Sequence, residues 1–175
     1  LYDMTQEQKT KNGMVPDIVP SFGYERGTAV WGDAACIIPW NLYLFYGDRS
    51  ILEEQYESMK SWLSYVERVD GSDHGWRKAF QYGDWLALDS PYPGEGQSRG
   101  GTDEGFIADV YHRKSLLITA KTARILGKTG DAGIFEQQAA QLLEEIRKEY
   151  YSATGRCCIH TQTAALLTLQ EGLHR

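Results

Sequence analysis

Cysteine is scarce in this chain. Cys36, Cys157 and Cys158 are all there is; two are adjacent, and a bridge between neighbours would strain the peptide joining them. With no Cys-x-x-Cys spacing the three read as reduced thiols, which favours a cytoplasmic setting. The four histidines, His74, His112, His160 and His174, are scattered without ligand spacing, so neither a metal nor a cofactor is expected. A Gly-x-Ser-x-Gly elbow is missing, and Gly100-Gly101 is too short to cradle a phosphate. No apolar run approaches the ~20 residues of a membrane helix. Lys and Arg number 18 against 24 Asp and Glu, a net charge of −6, so neither a nucleic-acid backbone nor an anionic membrane is a natural partner. Leu1-Tyr2-Asp3-Met4 carries no basic or apolar region of a secretory signal. A first residue other than Met reads as a segment of a longer chain; a signal peptide there would make the protein secreted.

What is present is helical periodicity. The chain has 175 residues, 42% of them hydrophobic, enough for one domain that buries roughly 70% of its unfolded surface. Residues 34–46 are apolar on nearly every face, which predicts a helix buried all round. Pro39 inside it should kink the helix and free a carbonyl near Ala35. Residues 49–69 instead carry one stripe, Ile51, Leu52, Met59, Trp62, Leu63 and Val66, against a face of Glu53, Glu54, Glu57, Lys60, Glu67 and Arg68. The alternation recurs. Residues 105–126 are mostly apolar, 132–151 carry a stripe from Ile134 and Phe135 to Tyr150, and a fifth apolar helix starts at Thr161. Inner and outer helices therefore alternate. Gly47-Asp48 and Gly130-Asp131 repeat as a helix stop followed by an N-cap.

The connections differ in length. Inner-to-outer links are short, whereas the outer-to-inner links, 70–104 and 152–160, are long and rich in Gly, Pro, Trp and Asp. If the inner helices run parallel, the long links open at one end, beside the inner-helix N-termini, and long irregular links usually carry function. Three inner and two outer helices make an arc rather than a closed ring; a self-contained five-helix bundle is the plain alternative.

Tyr and Trp together number 16, against 5 Phe. Most, including Trp40, Trp62, Tyr65 and Tyr150, occupy helix-stripe positions and belong to packing. Trp31 and Trp85 do not. Each sits at an outer-to-inner connection beside an aspartate, as Trp31-Gly32-Asp33 and Gly83-Asp84-Trp85, and an indole–carboxylate pair can pack a sugar ring and accept from its hydroxyls. Asp33 as an N-cap with Trp31 as a hydrophobic staple is the competing role. Carboxylates gather from Asp84 through Asp89 and Glu95 to Asp103 and Glu104, and glycoside hydrolysis uses two; Asp103 or Glu104 also fits a helix cap. His160, Thr161, Gln162 and Thr163 offer donors to the same mouth, with Thr161 a natural N-cap.

The run Trp31-Gly32-Asp33-Ala34-Ala35-Cys36-Ile37-Ile38-Pro39-Trp40, with Leu42-Tyr43, Tyr46-Gly47-Asp48, Tyr56, Met59 and Trp62, resembles the six-hairpin catalytic domain of bacterial α-L-rhamnosidases, glycoside hydrolase family 78. Tyr82-Gly83-Asp84-Trp85-Leu86-Ala87, Thr161-Gln162-Thr163-Ala164 and Gly172-Leu173 follow in the family's order. The resemblance implies an all-α fold of helical hairpins forming part of an (α/α)6 toroid, with residues 1–175 as one partial domain, about half of it. It implies a glycoside hydrolase that releases terminal α-L-rhamnose with inversion, by a general acid and a general base acting through water. Trp31 and Trp85 match positions lining the rhamnose pocket, and Asp33 and Asp84 sit beside them as substrate-binding candidates.

The family's general acid lies in a motif that precedes this region. Glu25-Arg26 echoes that motif, but Pro16 to Pro20 before it and Ile37-Ile38-Pro39-Trp40 after it place this block as the later Trp-Gly-Asp. The general base lies in a Trp-Glu motif beyond residue 175. No catalytic residue is assigned here, and the chain alone is expected to be inactive. The expected partner is a rhamnose-containing glycoside, with a homodimer left open. The rivals are another (α/α)6 carbohydrate enzyme such as an unsaturated glucuronyl hydrolase, with Arg77, Lys78 and Arg99 as a clamp on a uronate, and a non-catalytic helical scaffold.

Overall fold

The computed structural model describes residues 1–23, 25–72, 74–85, 87 and 99–174. Among the described residues there are seven helices, α1 (Tyr2–Thr10), α2 (Ala34–Tyr46), α3 (Ser50–Asp70), α4 (Gly75–Lys78), α5 (Glu104–Ile125), α6 (Thr129–Tyr150) and α7 (Gln162–Gln170), with two isolated β-bridges. The fold is all-α.

Two hairpins form the body. In the first, α2 stops at Gly47, whose left-handed φ of +66° lets its N–H bond the Tyr43 carbonyl at 2.8 Å. The Asp48 carboxylate then accepts from the backbone N–H and hydroxyl of Ser50 and opens α3. α3 buries Leu52, Tyr56, Met59, Trp62, Leu63 and Val66 at helical spacing and leaves Glu53, Glu54 and Glu57 in solvent. In the second, α5 is capped by Asp103, which accepts from the Phe106 N–H at 2.8 Å. Its small buried residues, Ala108, Ser115, Thr119, Ala120 and Ala123, let neighbouring helices approach closely.

α6 starts earlier than the sequence suggests. The turn is made by Gly127, at φ +76°, and Lys128, so Gly130-Asp131 falls inside the first turn of α6 and is not the stop-and-cap pair. Asp131 instead accepts from the Tyr56 hydroxyl at 2.7 Å and pins α6 to α3. Ile134, expected in the buried stripe, is exposed. α1 and α4 carry no strong periodicity; α1 rests on α3 through Gln8, which donates to the Ser58 carbonyl and accepts from its hydroxyl.

α2 is not buried all round. It runs on through Pro39, buries Ala35, Cys36 and Pro39, and leaves Phe45 83% exposed beside Leu44 and Tyr46. It packs on α3 and α5. α7 has the same character, with Leu166 and Leu169 exposed. The hairpins thus form an arc with two bare apolar edges.

The long connections meet at one end. Trp31, ahead of α2, touches Tyr82 and Trp85, which precede α5. Thr102, just before α5, hydrogen-bonds Thr161 at the start of α7. No described helix is long and apolar enough to cross a membrane.

Candidate functional site

The Trp31-Gly32-Asp33 corner is built around Trp62. A Cβ on Gly32 would lie 2.2 Å from the Trp62 ring, so only glycine lets the backbone pass. Asp33 is fully buried. Its Oδ1 accepts from Trp62 Nε1 at 2.9 Å and Ser115 Oγ at 2.7 Å, and its Oδ2 from the Val30 N–H at 2.8 Å. Val30 has a φ of +70°, left-handed backbone that a β-branched residue rarely adopts. Asp33 therefore holds a strained turn that turns Trp31 outward. Burial raises the Asp33 carboxyl above its ordinary range, against the three hydrogen bonds that favour the charge. Beside it, burial and the Asp33 charge push the Cys36 thiol up to about 12.

Trp31 and Trp85 are 41% and 47% exposed, and their ring centroids are 5.8 Å apart at a 41° tilt. Tyr82 stacks on Trp85 at 4.9 Å and 9°, covering one of its faces, and also touches Trp31 at 5.4 Å. Phe80 closes the row against Tyr82 at 5.1 Å. Half-exposed rings locked by one another make a preformed apolar platform with polar edges, a surface that can pack a sugar face.

Asp84 lies at the side of this platform, half-buried. The Ala164 N–H donates to Thr161 Oγ1, and the Thr161 and Thr102 hydroxyls contact each other at 2.7 Å. Thr102 in turn donates to Asp84 Oδ2 at 2.9 Å. The chain of donors runs from the N-terminus of α7 to the carboxylate, and among the described residues Thr102 alone donates to it. Gly100 permits the approach, since a Cβ there would lie 2.5 Å from Asp84 Oδ2. Asp84, Trp31 and Trp85 are thus brought together, while Asp33 is buried beneath them with both carboxylate oxygens hydrogen-bonded.

The other carboxylates have structural partners. Asp103 caps α5, and Glu104 pairs with Arg99 at 3.1 Å. Asp89 and Glu95 lie outside the described residues. Arg77 offers no clamp: it is held between Asp70 at 3.0 Å and buried Asp109 at 3.0 Å, on the side facing α3 and α6. There burial, with Asp70 and Glu145 nearby, pushes the Asp109 carboxyl up to about 7 although Arg77 opposes it. Burial likewise lowers His112 to about 4. Glu25 pairs with Lys11 at 2.7 Å and is largely exposed. Among the described residues no group of His, Cys, Asp and Glu could hold a metal ion.

Residues 1–175 match the bacterial alpha-L-rhamnosidase 6 hairpin glycosidase domain. The chain belongs to this family. An alpha-L-rhamnosidase of Alteromonas sp. (strain LOR) is 38% identical over 173 residues, which cover 94% of this chain and 18% of that protein. The native rhamnosidase structure from Aspergillus terreus superposes with a TM-score of 0.89 at 30% identity, covering 99% of this chain and 20% of that one. The Streptomyces avermitilis alpha-L-rhamnosidase complexed with L-rhamnose gives a TM-score of 0.82 at 31% identity, covering 99% and 16%. The chain thus spans about a fifth of the length of the relatives it matches.

Within this six-hairpin domain, the sequence alone marks Trp31, Trp85 and Asp84 but not Phe80, which closes the aromatic row. Phe80 and Tyr82 flank the buried Gln81, a period-2 signal that could have grouped them.

Proposed function

We propose that this chain is part of the catalytic domain of an inverting glycoside hydrolase that releases terminal α-L-rhamnose, and that its contribution is the sugar-binding wall. The observation that carries the reading is the indole corner: two half-exposed tryptophans 5.8 Å apart, in a chain of this family. Rhamnose is a 6-deoxy sugar. Its methyl-bearing face suits indole walls, and its hydroxyls are left to acceptors such as Asp84. Trp31 and Trp85 pack the ring, Tyr82 backs Trp85, and Asp33 positions Trp31.

The proton-transfer pair belongs to other parts of the toroid: among the described carboxylates near the platform Asp103 caps α5, Glu104 pairs with Arg99, Asp33 is buried, and Asp84 is left to the sugar's hydroxyls. In the complete site those two carboxyls would stand ~6.5–9.5 Å apart to admit water. About half of the (α/α)6 toroid is present; further hairpins would cover Phe45 and Tyr46 on α2 and Leu166 and Leu169 on α7, the bare edges of the arc.

The test is hydrolysis of a neutral rhamnoside by the intact protein that carries this chain, with and without Trp85→Ala. The expected result is a fall in kcat/KM of about tenfold or more, in line with ~1.4 kcal/mol of lost packing. Unchanged kcat/KM in Trp85→Ala, or no rhamnoside hydrolysis by the unaltered protein, would refute it.

A further inference from the structure

We infer that Gln81 is a positioning residue for rhamnose binding, a buried amide that fixes the Trp31 side of the corner against the Tyr82 and Trp85 side. This role rests on the rhamnoside reading and adds to it a residue that touches no sugar. Gln81 is 1% exposed. Its Oε1 accepts from the Ala29 N–H at 2.8 Å, and its Nε2 donates to the Trp76 carbonyl at 2.9 Å. The first partner lies two residues before Trp31, in the turn ahead of α2. The second belongs to α4, at the head of the connection that carries Tyr82 and Trp85. One side chain thus joins two segments 52 residues apart. A buried site that needs an acceptor at one end and a donor at the other suits an amide, since a carboxylate has no donor and a lysine no acceptor.

Two features carry the effect from Gln81 to the rings. The Ala29 and Val30 N–H groups are consecutive, and each is taken by a buried side chain, the first by Gln81 and the second by Asp33. Asp33 anchors the turn to α3 and α5 through Trp62 and Ser115, whereas Gln81 anchors it to the connection that carries the other rings. Trp76 adds a second tie between the same segments, its Nε1 donating to the Gly27 carbonyl at 3.0 Å. On the other side, Gln81 is buried between Phe80 and Tyr82, whose rings meet at 5.1 Å. Tyr82 in turn touches Trp31 at 5.4 Å and stacks on Trp85 at 4.9 Å. The 5.8 Å spacing of the two indoles therefore depends on an amide that the sugar does not reach. Slackening it weakens the packing of the sugar in ground state and transition state alike, which raises KM and leaves kcat in place.

The test is steady-state hydrolysis of a neutral rhamnoside by the intact protein that carries this chain. The variants are Gln81→Met, Gln81→Glu, Trp31→Ala, and each Gln81 variant combined with Trp31→Ala. Gln81→Met removes both ends of the tie and should raise KM by at least about fivefold, with kcat held within about twofold. Gln81→Glu keeps the acceptor for Ala29 and should raise KM less, by about twofold to threefold. Beside Trp31→Ala each substitution should raise KM by less than about twofold, because a residue that acts through the indole spacing then has nothing to position. A loss of packing elsewhere would add to Trp31→Ala instead. An unchanged KM in a Gln81 variant that folds, or an increase that persists in full beside Trp31→Ala, overturns the role of Gln81 and leaves the rhamnoside reading standing. Loss of helical circular dichroism in both variants overturns it equally, since Gln81 would then belong to the core alone. Absence of hydrolysis by the unaltered protein removes the rhamnoside reading, and this role with it.

Discussion

Asp33 Oδ1 lies 2.9 Å from Trp62 Nε1 and 2.7 Å from Ser115 Oγ. One buried oxygen thereby ties the turn before α2 to both α3 and α5. The other carboxylate oxygen holds the Val30 N–H, so the orientation of Trp31 and the packing of two hairpins depend on the same side chain.

Replacing Asp33 by Ala leaves an indole N–H, a hydroxyl and a backbone N–H without an acceptor. At ~1–3 kcal/mol per buried unsatisfied group, a loss of about 3 kcal/mol or more is expected. Denaturant unfolding measures it. Asp33→Asn keeps an acceptor and should cost less, while sugar affinity falls in both as Trp31 loses its support. Equal stability of Asp33→Ala and the unaltered protein would contradict the positioning role.

Gly32→Ala places a methyl group against the Trp62 ring, where 2.2 Å is available. Overpacking of that kind costs about 1–3 kcal/mol, which a lowered Tm reports. By contrast Gly133, inside α6, has open space around its Cβ direction, so Gly133→Ala should be neutral or stabilising by up to about 1 kcal/mol.

Asp109 supplies the pH dependence. Its folded carboxyl is raised from 3.8 to about 7, so between those values the folded state holds a proton that the unfolded state has released. Its contribution to stability is therefore fully present below about pH 4 and is lost as pH rises through 7. Unfolding free energies across that window should decline more steeply for the unaltered protein than for Asp109→Asn. Parallel profiles would contradict the shift.

Glu25→Gln tests the assignment of catalysis to other parts of the toroid. Glu25 is an exposed partner of Lys11, and a surface pair is worth ~0–1 kcal/mol. Hydrolysis of a neutral rhamnoside should continue with kcat essentially unchanged. A loss of several orders of magnitude would make Glu25 the general acid.

The helices were legible where periodicity was strong. α3 reads directly, because its stripe and its acidic face never overlap. α1 was not, since only Met4 and Gln8 are buried along it and its hold on α3 is a polar contact with Ser58, far away in sequence. The start of α6 misleads because Gly130-Asp131 has the composition of a cap, while the actual turn uses the left-handed Gly127. The apolar character of α2 overstates its burial, because burial depends on neighbours and Leu44, Phe45 and Tyr46 stay exposed. At the site, the two Trp–Asp pairs stand out by residue type and by their place in the long links. The division of labour between them does not: Asp33 is enclosed by Trp62 and Ser115, which lie 29 and 82 residues away, while Asp84 stays half-open.

The most direct measurement is an L-rhamnose titration of the intact protein followed by tryptophan fluorescence. The account predicts a saturable change that is lost in the Trp31→Ala, Trp85→Ala double variant while circular dichroism stays that of a folded helical protein. No change up to tens of millimolar rhamnose, or a change that survives in the double variant, would contradict it.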